Sequence, residues 1–500
     1  MLDGPGGVSL PDEAWTSLRN FVLGVEEEGR PSLTHRVRIC LDHVLEQREF
    51  YRRKRKELSK KLTKLNGIPE DPKVENEKEA IKQQRKAITK LITDEINHKN
   101  VFNFFTDEGL LPNYAFPEEG VTVNSVIIKR RTREEIKAKE KIEPVKFSFT
   151  RAAAQAIGEL SPDSTFYVHA HRMRIDQVRL ESDSVERWRL CDRCSYMEKV
   201  DPTAPIAPVC PKCASAQWSD GGRVRQLLRM REVIAHADSR LDRIRDEQDS
   251  RPPLGQARQV MIDIPDGSHI EQAWKIDDPN FSFGFEFLRK VTIREVNFGS
   301  LSLAGFADPL IVAGKEMPQH GFRICHDCGM VYRENLRHGE NLHDITCKYR
   351  DMSEEKLQKL DESPWFDSLF LFREIESEAI RIRIPVSDLI DEVGAEFGTQ
   401  SLVAAISLGL RRHFKGAVDH LKIDLQDEPI PDSESGRNTY LVIYDSVPGG
   451  SGYLKDLARK DEKTGKPEEL RKLFKEAYDA VANCSCADDE NRDGCYQCVY

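Results

Sequence analysis

The cysteines are the residues of this chain with the clearest chemical meaning, because all but Cys40 fall into three tight groups. The first group is Cys191, Cys194, Cys210 and Cys213, with the spacing C-x2-C-x15-C-x2-C. Two such pairs bring four thiolates together, and four sulfurs complete the tetrahedral shell of a zinc ion. A closed shell leaves no open position for water, so the spacing predicts a structural zinc site.

The second group combines three cysteines with a histidine. Cys325, Cys328 and Cys347 supply the sulfurs, and His343 completes the pattern C-x2-C-x14-H-x3-C, with His338 as the rival fourth ligand. Neutral imidazole is an ordinary zinc ligand alongside thiolates. An iron–sulfur cluster is the alternative, but a histidine in the set leaves it only three sulfurs. We therefore predict a second zinc site.

The third group lies at the end of the chain and consists of Cys484, Cys486, Cys495 and Cys498. A C-x-C pair is tighter than the usual pair but still presents two ligands, and Gly494 permits the sharp turn that the second pair needs. We predict zinc here too, giving up to three structural ions. Because terminal segments fray, we expect the natural protein to continue beyond these ligands.

Composition and charge limit the class of protein to which this chain can belong. A chain of 500 residues is expected to form about three domains. No stretch approaches a membrane span, no signal peptide is evident, and grouped cysteines favour metal over disulfides, so we expect a cytoplasmic protein without a membrane partner. The net charge is -10, yet residues 51–64 hold eight basic residues and one acid. Such a segment either contacts phosphates or is a solvated helix face.

The hydrophobic pattern predicts a multidomain α+β fold, with a helical N-terminal region followed by mixed sheet modules and the three zinc sites. Two charged helical segments around the breaker NGIPEDPK (66–73) predict a helical hairpin, with a disordered charged linker as the alternative. We expect strands over 121–128, 164–180, 376–385 and 440–445, strand alternation through Phe281, Phe283, Phe285 and Phe287, and helices over 222–246 and 399–414. The predicted domains are 1–115 (helical), 116–300 (β-rich, with a zinc ribbon at 188–218), 301–355 (the Cys3His module) and 356–500 (α/β, ending in the third zinc site). Cys40 lies in an apolar helical pattern and is expected to be a buried thiol.

A glycine loop, VPGGSGY (447–453), follows a predicted buried strand and precedes a predicted helix. This is the layout of a phosphate cradle, but the loop matches neither GxxxxGK[ST] nor GxGxxG. We therefore expect a tight, close-packed turn, with a backbone phosphate contact as a secondary possibility. The sequence also lacks a DEAD/DEAH box, a nucleophile elbow, HExxH and a nuclease-like carboxylate cluster, so no catalytic residue is predicted.

These motifs together resemble a known family. The run from LFREIESEAIRIRIP through SLVAAISLGLRRHF and YLVIYDSVPGGSGYL to C-x-C…GCYQC resembles the MrfA-type zinc-binding (MZB) domain of large DEAD/DEAH-box helicases and anti-phage defence proteins. Upstream, GLLPNYAFP, FSFTRAAAQAIGELSPDSTFYV and FRICHDCGMVY resemble the region that joins the motor to this domain. The resemblance covers roughly residues 100–500 and assigns zinc to the last four cysteines. It leaves the N-terminal hairpin unmatched.

The resemblance implies an ATP-dependent DNA helicase or translocase, in a bacterial defence system of the Druantia or DISARM type. The motor is absent from this sequence, so ATP would act through a motor in cis or on a separate subunit, with other defence subunits as further partners. We expect DNA contacts from arginines at Arg172, Arg174, Arg381, Arg383, Arg411 and Arg412. The alternative is a zinc-stabilised protein-interaction scaffold that pairs with a separate helicase.

Overall fold

The computed structural model describes most of the chain. The described residues are 12–25, 32–69, 72–108, 110, 120–128, 145–168, 171–182, 184–238, 255–264, 269–278, 283–301, 308–333, 342–352, 354–357, 360, 362–366, 368–384, 392–416, 418–429, 437–486, 495 and 498. The chain divides into two compact units. The first comprises Met1–Ser184, Met230–Arg251 and Ile324–Phe366, and the second comprises Val185–Arg229, Pro252–Arg323 and Asp367–Tyr500.

The described chain begins with four helices and continues mainly as strands, with the remaining helices at 153–159, 354–357 and in the last quarter of the chain. The helices are α1 (Asp12–Leu23), α2 (Leu33–Asn66), α3 (Pro72–Lys90), α4 (Val101–Asp107), α5 (Ala153–Glu159), α6 (Glu354–Leu357), α7 (Glu392–His413), α8 (Tyr453–Ala458) and α9 (Glu468–Ala482). The strands are β1 (Gly120–Ile128), β2 (Val145–Ala152), β3 (Thr165–Val168), β4 (His171–Val178), β5 (Val185–Leu190), β6 (Met197–Lys199), β7 (Val224–Leu228), β8 (Glu232–Asp238), β9 (Gln256–Asp263), β10 (Ile270–Lys275), β11 (Gly284–Ser300), β12 (Leu310–Val312), β13 (Lys315–Met317), β14 (Leu369–Ile384), β15 (Leu421–Pro429) and β16 (Arg437–Asp445). The predicted α+β class is confirmed.

The first unit packs a helical hairpin with a sheet. Helix α2 begins after Ser32, whose hydroxyl accepts a hydrogen bond from the amide of His35 at 3.2 Å. This bond is an N-cap, which satisfies one of the free amides of the first turn. Side chains spaced three or four residues apart along α2, from Cys40 to Leu65, are buried, as expected of a helix with one face on the core. Among the described residues, five strands form the sheet in the order β2-β1-β8-β4-β3, with β1 and β8 parallel. The predicted hairpin is present as α2 and α3, and Cys40 is buried.

The second unit is built on a larger sheet. Its described strands run β10-β11-β14-β7-β5-β6, β9 pairs with β11, and β16 joins β14 to β15. The long strands β11 and β14 are antiparallel, so alternate side chains of each point into one core. Phe285 and Phe287 lie in that core and Phe283 packs against it, whereas Phe281 lies outside the described residues. The predicted strand alternation is confirmed for these aromatics.

One sequence prediction is wrong. Residues 222–246 were expected to form a helix, but the structure places β7 and β8 in 224–238, joined by residues 229–231, and residues 239–246 lie outside the described residues. Strand β8 lies between β1 and β4 at the centre of its sheet, and Val233 and Ala235 are fully buried. A short apolar run reads as helix or strand by spacing alone, and sheet pairing decided the outcome. The four-domain division stays a prediction.

Candidate metal centres

The first cysteine group converges on one point in the second unit. The loop after β5 supplies Cys191 and Cys194, and the loop before the 3-10 turn Ala216–Ser219 supplies Cys210 and Cys213. Their sulfurs lie 3.5 Å apart for Cys191 and Cys213 and 3.7 Å apart for Cys194 and Cys210. All four ligand atoms lie within 4.8 Å of one another, so the predicted ligand set is brought together.

Aromatic packing and a tight turn hold this first group in place. Trp218 is 1% exposed and packs with the cysteines, and its ring lies 5.2 Å from that of Tyr196. The amide of Arg193 donates to the sulfur of Cys191 at 3.4 Å, which orients that thiolate. Ala214, just after the last cysteine, has a φ of 56°, in the left-handed region. The loop is therefore shaped around the four sulfurs.

The second group lies in the first unit and includes the predicted histidine. The sulfurs of Cys325 and Cys347 lie 3.7 Å apart, and the Nδ1 atom of His343 lies 3.4 Å from the sulfur of Cys347 and 3.9 Å from that of Cys328. Nδ1 is thus the imidazole atom that faces the sulfurs. His338 lies outside the described residues. Trp365 stacks on the His343 ring with centroids 4.7 Å apart, an orienting contact that sequence reasoning missed.

A glycine makes the close approach of this group to the sheet possible. Gly329 follows Cys328 directly and has a φ of +71°, the counterpart of Ala214 in the first group. A Cβ atom here would overlap the carbonyl oxygen of Val178. Because that neighbour is backbone of β4, it cannot move aside without disturbing the sheet. Only glycine fits both the conformation and the space.

A buried ion pair joins this second group to helix α2. The ammonium of Lys54 lies 2.8 Å from Oδ2 of Asp344, and both side chains are 8% exposed. Lys54 also donates to Gln177 at 3.1 Å, and Gln177 donates to the carbonyl of Cys328 at 2.7 Å. Burial raises the pKa of Asp344, but the charge of Lys54 outweighs it and holds that pKa below its ordinary value. Sequence reasoning missed this connection because the partners are far apart in the chain.

The third group lies immediately after helix α9. Cys484 follows the C-cap residue Asn483, and its amide donates to the carbonyl of Val481 at 3.2 Å, so the helix end positions it. The sulfur of Cys484 lies 3.5 Å from those of Cys486 and Cys495, and the sulfurs of Cys486 and Cys498 lie 3.4 Å apart. The four ligand atoms again lie within 4.8 Å of one another. Gly494 lies outside the described residues.

The sulfur separations test whether zinc fits. Zinc–sulfur bonds of about 2.3 Å in a tetrahedron require sulfurs about 3.8 Å apart. The separations of 3.4 to 3.8 Å match that edge, and every cysteine is a free thiol. In the first group, hydrogen bonding with Cys191 lowers the pKa of Cys210 and raises that of Cys194, so the thiols compete for protons. A divalent cation removes this competition because it binds all the thiolates together.

The third group ends a segment that a family model recognises. Residues 402–499 match the MrfA Zn-binding domain. This match confirms the resemblance drawn from the C-terminal motifs, and it establishes that the chain carries a zinc-binding domain. Two further groups, outside the matched segment, have the same capacity to hold metal.

Two crystal structures of one helicase show a distant similarity to this chain. The crystal structure of the DUF1998 helicase MrfA bound to DNA shares 8% identity at a TM-score of 0.32, covering 84% of this chain and 40% of MrfA. A second crystal structure of the DUF1998 helicase MrfA shares 8% identity at a TM-score of 0.28, covering 76% of this chain and 32% of MrfA. The chain therefore spans less than half the length of MrfA. No curated protein matches the chain significantly.

The glycine loop of the MrfA Zn-binding segment closes on two carboxylates of its own unit. The amides of Gly452 and Leu454 donate to Oε1 of Glu378 at 3.0 and 3.3 Å. The amides of Val447 and Ser451 donate to Asp445, at 2.8 and 2.6 Å. These carboxylates occupy the amides that a phosphate would need. The loop is thus the close-packed turn that the sequence predicts.

The predicted nucleic-acid contacts divide into paired and exposed side chains. Arg381 bonds Glu286 at 3.0 Å and Glu428 at 2.9 Å, so its charge is already compensated within the sheet. Arg174 pairs with Asp163, and Arg383 donates to Asn438 at 3.0 Å. The exposed arginines are Arg172, on β4, Arg383, on β14, and Arg411 and Arg412, in the last turn of α7.

A buried carboxylate in the first unit gathers donors from three elements. Glu232, at the start of β8, is 1% exposed and accepts from Tyr51 and Gln47 of α2, from Asn124 of β1 and from Arg179. Burial raises the pKa of Glu232, but the charge of Arg179 and these donors hold it below its ordinary value. The cluster fixes α2 against the sheet, and no sequence motif indicated it.

None of the helices in the described ranges is long and apolar enough to cross a membrane.

Proposed function

We propose that this chain is the zinc-braced, non-motor part of an ATP-dependent nucleic-acid helicase or translocase. The match of residues 402–499 to the MrfA Zn-binding domain carries the proposal. MrfA is described as a helicase and has been crystallised with DNA. The sequence lacks a Walker A motif and a DEAD/DEAH box. The chain therefore works with a motor outside it, in cis or on a separate subunit, and ATP acts through that motor.

Each of the three ligand groups holds one structural zinc ion in this proposal. The ligands are Cys191, Cys194, Cys210, Cys213, Cys325, Cys328, His343, Cys347, Cys484, Cys486, Cys495 and Cys498. Sulfur spacing, full ligand sets and aromatic packing support the assignment. Four protein ligands leave no open position at any of the three ions, so their role is to fix loop geometry and not to activate water.

The braced units present side chains to the strand that the motor moves. Arg172, Arg411 and Arg412 are exposed and able to meet phosphates, whereas Arg381 is held by two carboxylates. Phosphate contacts of this kind position nucleic acid without reading its sequence. A cytoplasmic role in anti-phage defence, with other defence subunits as partners, is part of the proposal and has only the sequence resemblance as its support.

Zinc content and nucleic-acid binding test the proposal on the purified chain. We expect close to three zinc atoms per chain by elemental analysis. Removing two ligands, Cys484→Ser with Cys486→Ser, should lower the content by one, while Cys40→Ser, a buried cysteine outside the groups, should leave it unchanged. Fluorescence anisotropy with labelled DNA should show binding that falls steeply with salt. If the chain is fully loaded with zinc but its DNA binding is negligible and does not depend on salt, the proposal is wrong. The chain would then be better described as a protein-interaction scaffold.

A further inference from the structure

The second half of helix α2 carries a stripe of basic side chains on its exposed face. The stripe consists of Arg52, Arg53, Lys56, Lys60 and Lys64, all of which are exposed. At about 3.6 residues per turn these five positions fall within about a third of the helix circumference. Four of them recur every fourth residue, a rise of about 6 Å per step, so the stripe runs for about 18 Å along the helix.

The opposite face of this half of the helix is buried in the core of the first unit. Tyr51, Leu58, Leu62 and Leu65 are buried in the hairpin core. Every exposed residue in 51–66 is polar, so nothing apolar accompanies the charges. Membrane-surface helices need an apolar face to insert between lipids. This stripe therefore does not have the composition of a membrane anchor.

The balance of charge changes along the helix. The exposed face of the first half holds the acids Asp42, Glu46 and Glu49 together with Arg38, which pairs with Asp42 at 4.0 Å, whereas the exposed charges from Arg52 onward are all basic. Within the stripe one acid intervenes: Glu57 pairs with Lys60 at 2.6 Å. That pair is exposed, and exposed pairs contribute little and exchange readily for a polyanion. The helix thus keeps a concentrated positive face in a chain whose net charge is -10.

Neighbouring basic residues help to define the stripe. Lys54 is buried in its ion pair with Asp344 and has no part in the stripe. Lys61 pairs with Glu77 of α3 at 2.5 Å. Arg85 of α3 is also exposed. Within the second half of α2, the exposed basic side chains are those of the stripe, and they form one ordered row.

We propose that this stripe is a contact surface for the phosphodiester backbone of nucleic acid. The inference rests on the proposed function, which it deepens by naming the surface. A row of cations with a regular spacing of about 6 Å fits a chain of regularly placed phosphates, and the contact carries no base information. The arginine and lysine heads would replace condensed counterions on the backbone.

The test compares two variants that lose the same charge. The stripe variant is R52Q/R53Q/K56Q/K60Q/K64Q, and glutamine keeps helix propensity close to that of lysine and arginine. The control is K455Q/K463Q/K466Q/R471Q/K475Q, which neutralises five positions in the other unit. Anisotropy with random-sequence duplex and single-stranded DNA is measured against salt. A two-residue variant, K56Q/K60Q, repeats the test if the larger one unfolds on heating earlier than wild type.

We expect DNA affinity to fall in the stripe variant and to stay unchanged in the control variant. The affinity of the stripe variant for duplex should fall at least tenfold at about 0.1 M salt, with the slope of log affinity against log salt less steep by up to about 4.5, or about 3.5 on single strands. The two-residue variant should show a change in slope about two fifths as large as that of the five-residue variant. Anionic vesicles containing phosphatidylserine should not bind wild type.

Three outcomes would overturn the inference. Equal losses in both five-residue variants would show that only net charge matters. Unchanged binding by the stripe variant would remove this surface while leaving the proposed function intact. If zinc-loaded wild type binds no DNA, both proposals fail together, and vesicle binding in that case would identify a membrane surface instead.

Discussion

The buried pair between Lys54 and Asp344 gives the sharpest prediction about stability. Replacing Lys54 with methionine keeps the length of the side chain but removes its charge. The ammonium and the carboxylate are 2.8 Å apart, and both side chains are only 8% exposed. Removing one partner of such a pair leaves an uncompensated buried charge, which costs about 3–5 kcal/mol. Asp344 keeps its bonds from Thr346, at 3.1 and 2.9 Å, so the lower end of that range is expected.

A double-mutant cycle measures this effect. Urea unfolding of zinc-loaded wild type, K54M, D344N and K54M/D344N gives the four free energies of unfolding. We expect K54M to lose about 3 kcal/mol and the double variant to lose less than the sum of the single losses, by about 1–3 kcal/mol. Because Asp344 adjoins His343, K54M should also speed the release of one zinc ion to a chelator.

The same helix provides the control. Lys60→Met breaks a pair with Glu57 in which the lysine side chain is 57% exposed. Because exposed pairs contribute little, this change should alter the free energy of unfolding by less than about 0.5 kcal/mol. A K54M loss below about 1 kcal/mol, or additive effects in the cycle, would refute the reasoning that this pair fastens α2 to the second ligand group.

Three further predictions follow from the structure. Chelating zinc at neutral pH should lower the melting temperature of the chain and expose eleven additional thiols to alkylation, since the free energy of metal binding adds to the stability of the folded loops. Gly329→Ala should destabilise the chain strongly in thermal unfolding, because its Cβ would overlap the Val178 carbonyl, whereas Gly416 has similar φ and open space around it. Gly416→Ala should therefore cost only the conformational strain of about 1–2 kcal/mol, and equal losses in the two variants would contradict the steric argument. Glu232 has a depressed pKa in the folded chain, so its stabilisation is present above about pH 4.3 and is lost as pH falls below it. Glu232→Gln should flatten that part of the stability–pH curve, and an unchanged curve would contradict the role of Arg179.

Features set by short-range geometry were predictable from the sequence. The ligand spacings placed all three groups, because one or two residues between paired cysteines already bring both sulfurs to one side of a turn. The hairpin followed from a glycine–proline breaker between two segments with helical apolar spacing. The strand over 376–385 followed from strict alternation, and residues 376–384 lie within β14.

Local pattern failed where sheet pairing overrode it. Residues 224–238 have apolar spacing compatible with a helix, yet they form two strands. The parallel pairing of β8 with β1 joins segments more than a hundred residues apart, with Asn124 opposite Ile234. A strand of this kind is stabilised by its neighbours, and the neighbours are not recorded in its own sequence.

The sequence by itself determined which residues can hold zinc, that the C-terminal segment resembles the MrfA Zn-binding domain and that a basic helical segment is present. Only the tertiary structure decided which charged side chains are paired within the fold and which are exposed to solvent. It buried Lys54 against Asp344, gave Arg381 two carboxylates and left the stripe from Arg52 to Lys64 exposed. The physical reason is that the state of a charge depends on its surroundings, and those surroundings come from segments distant in the chain.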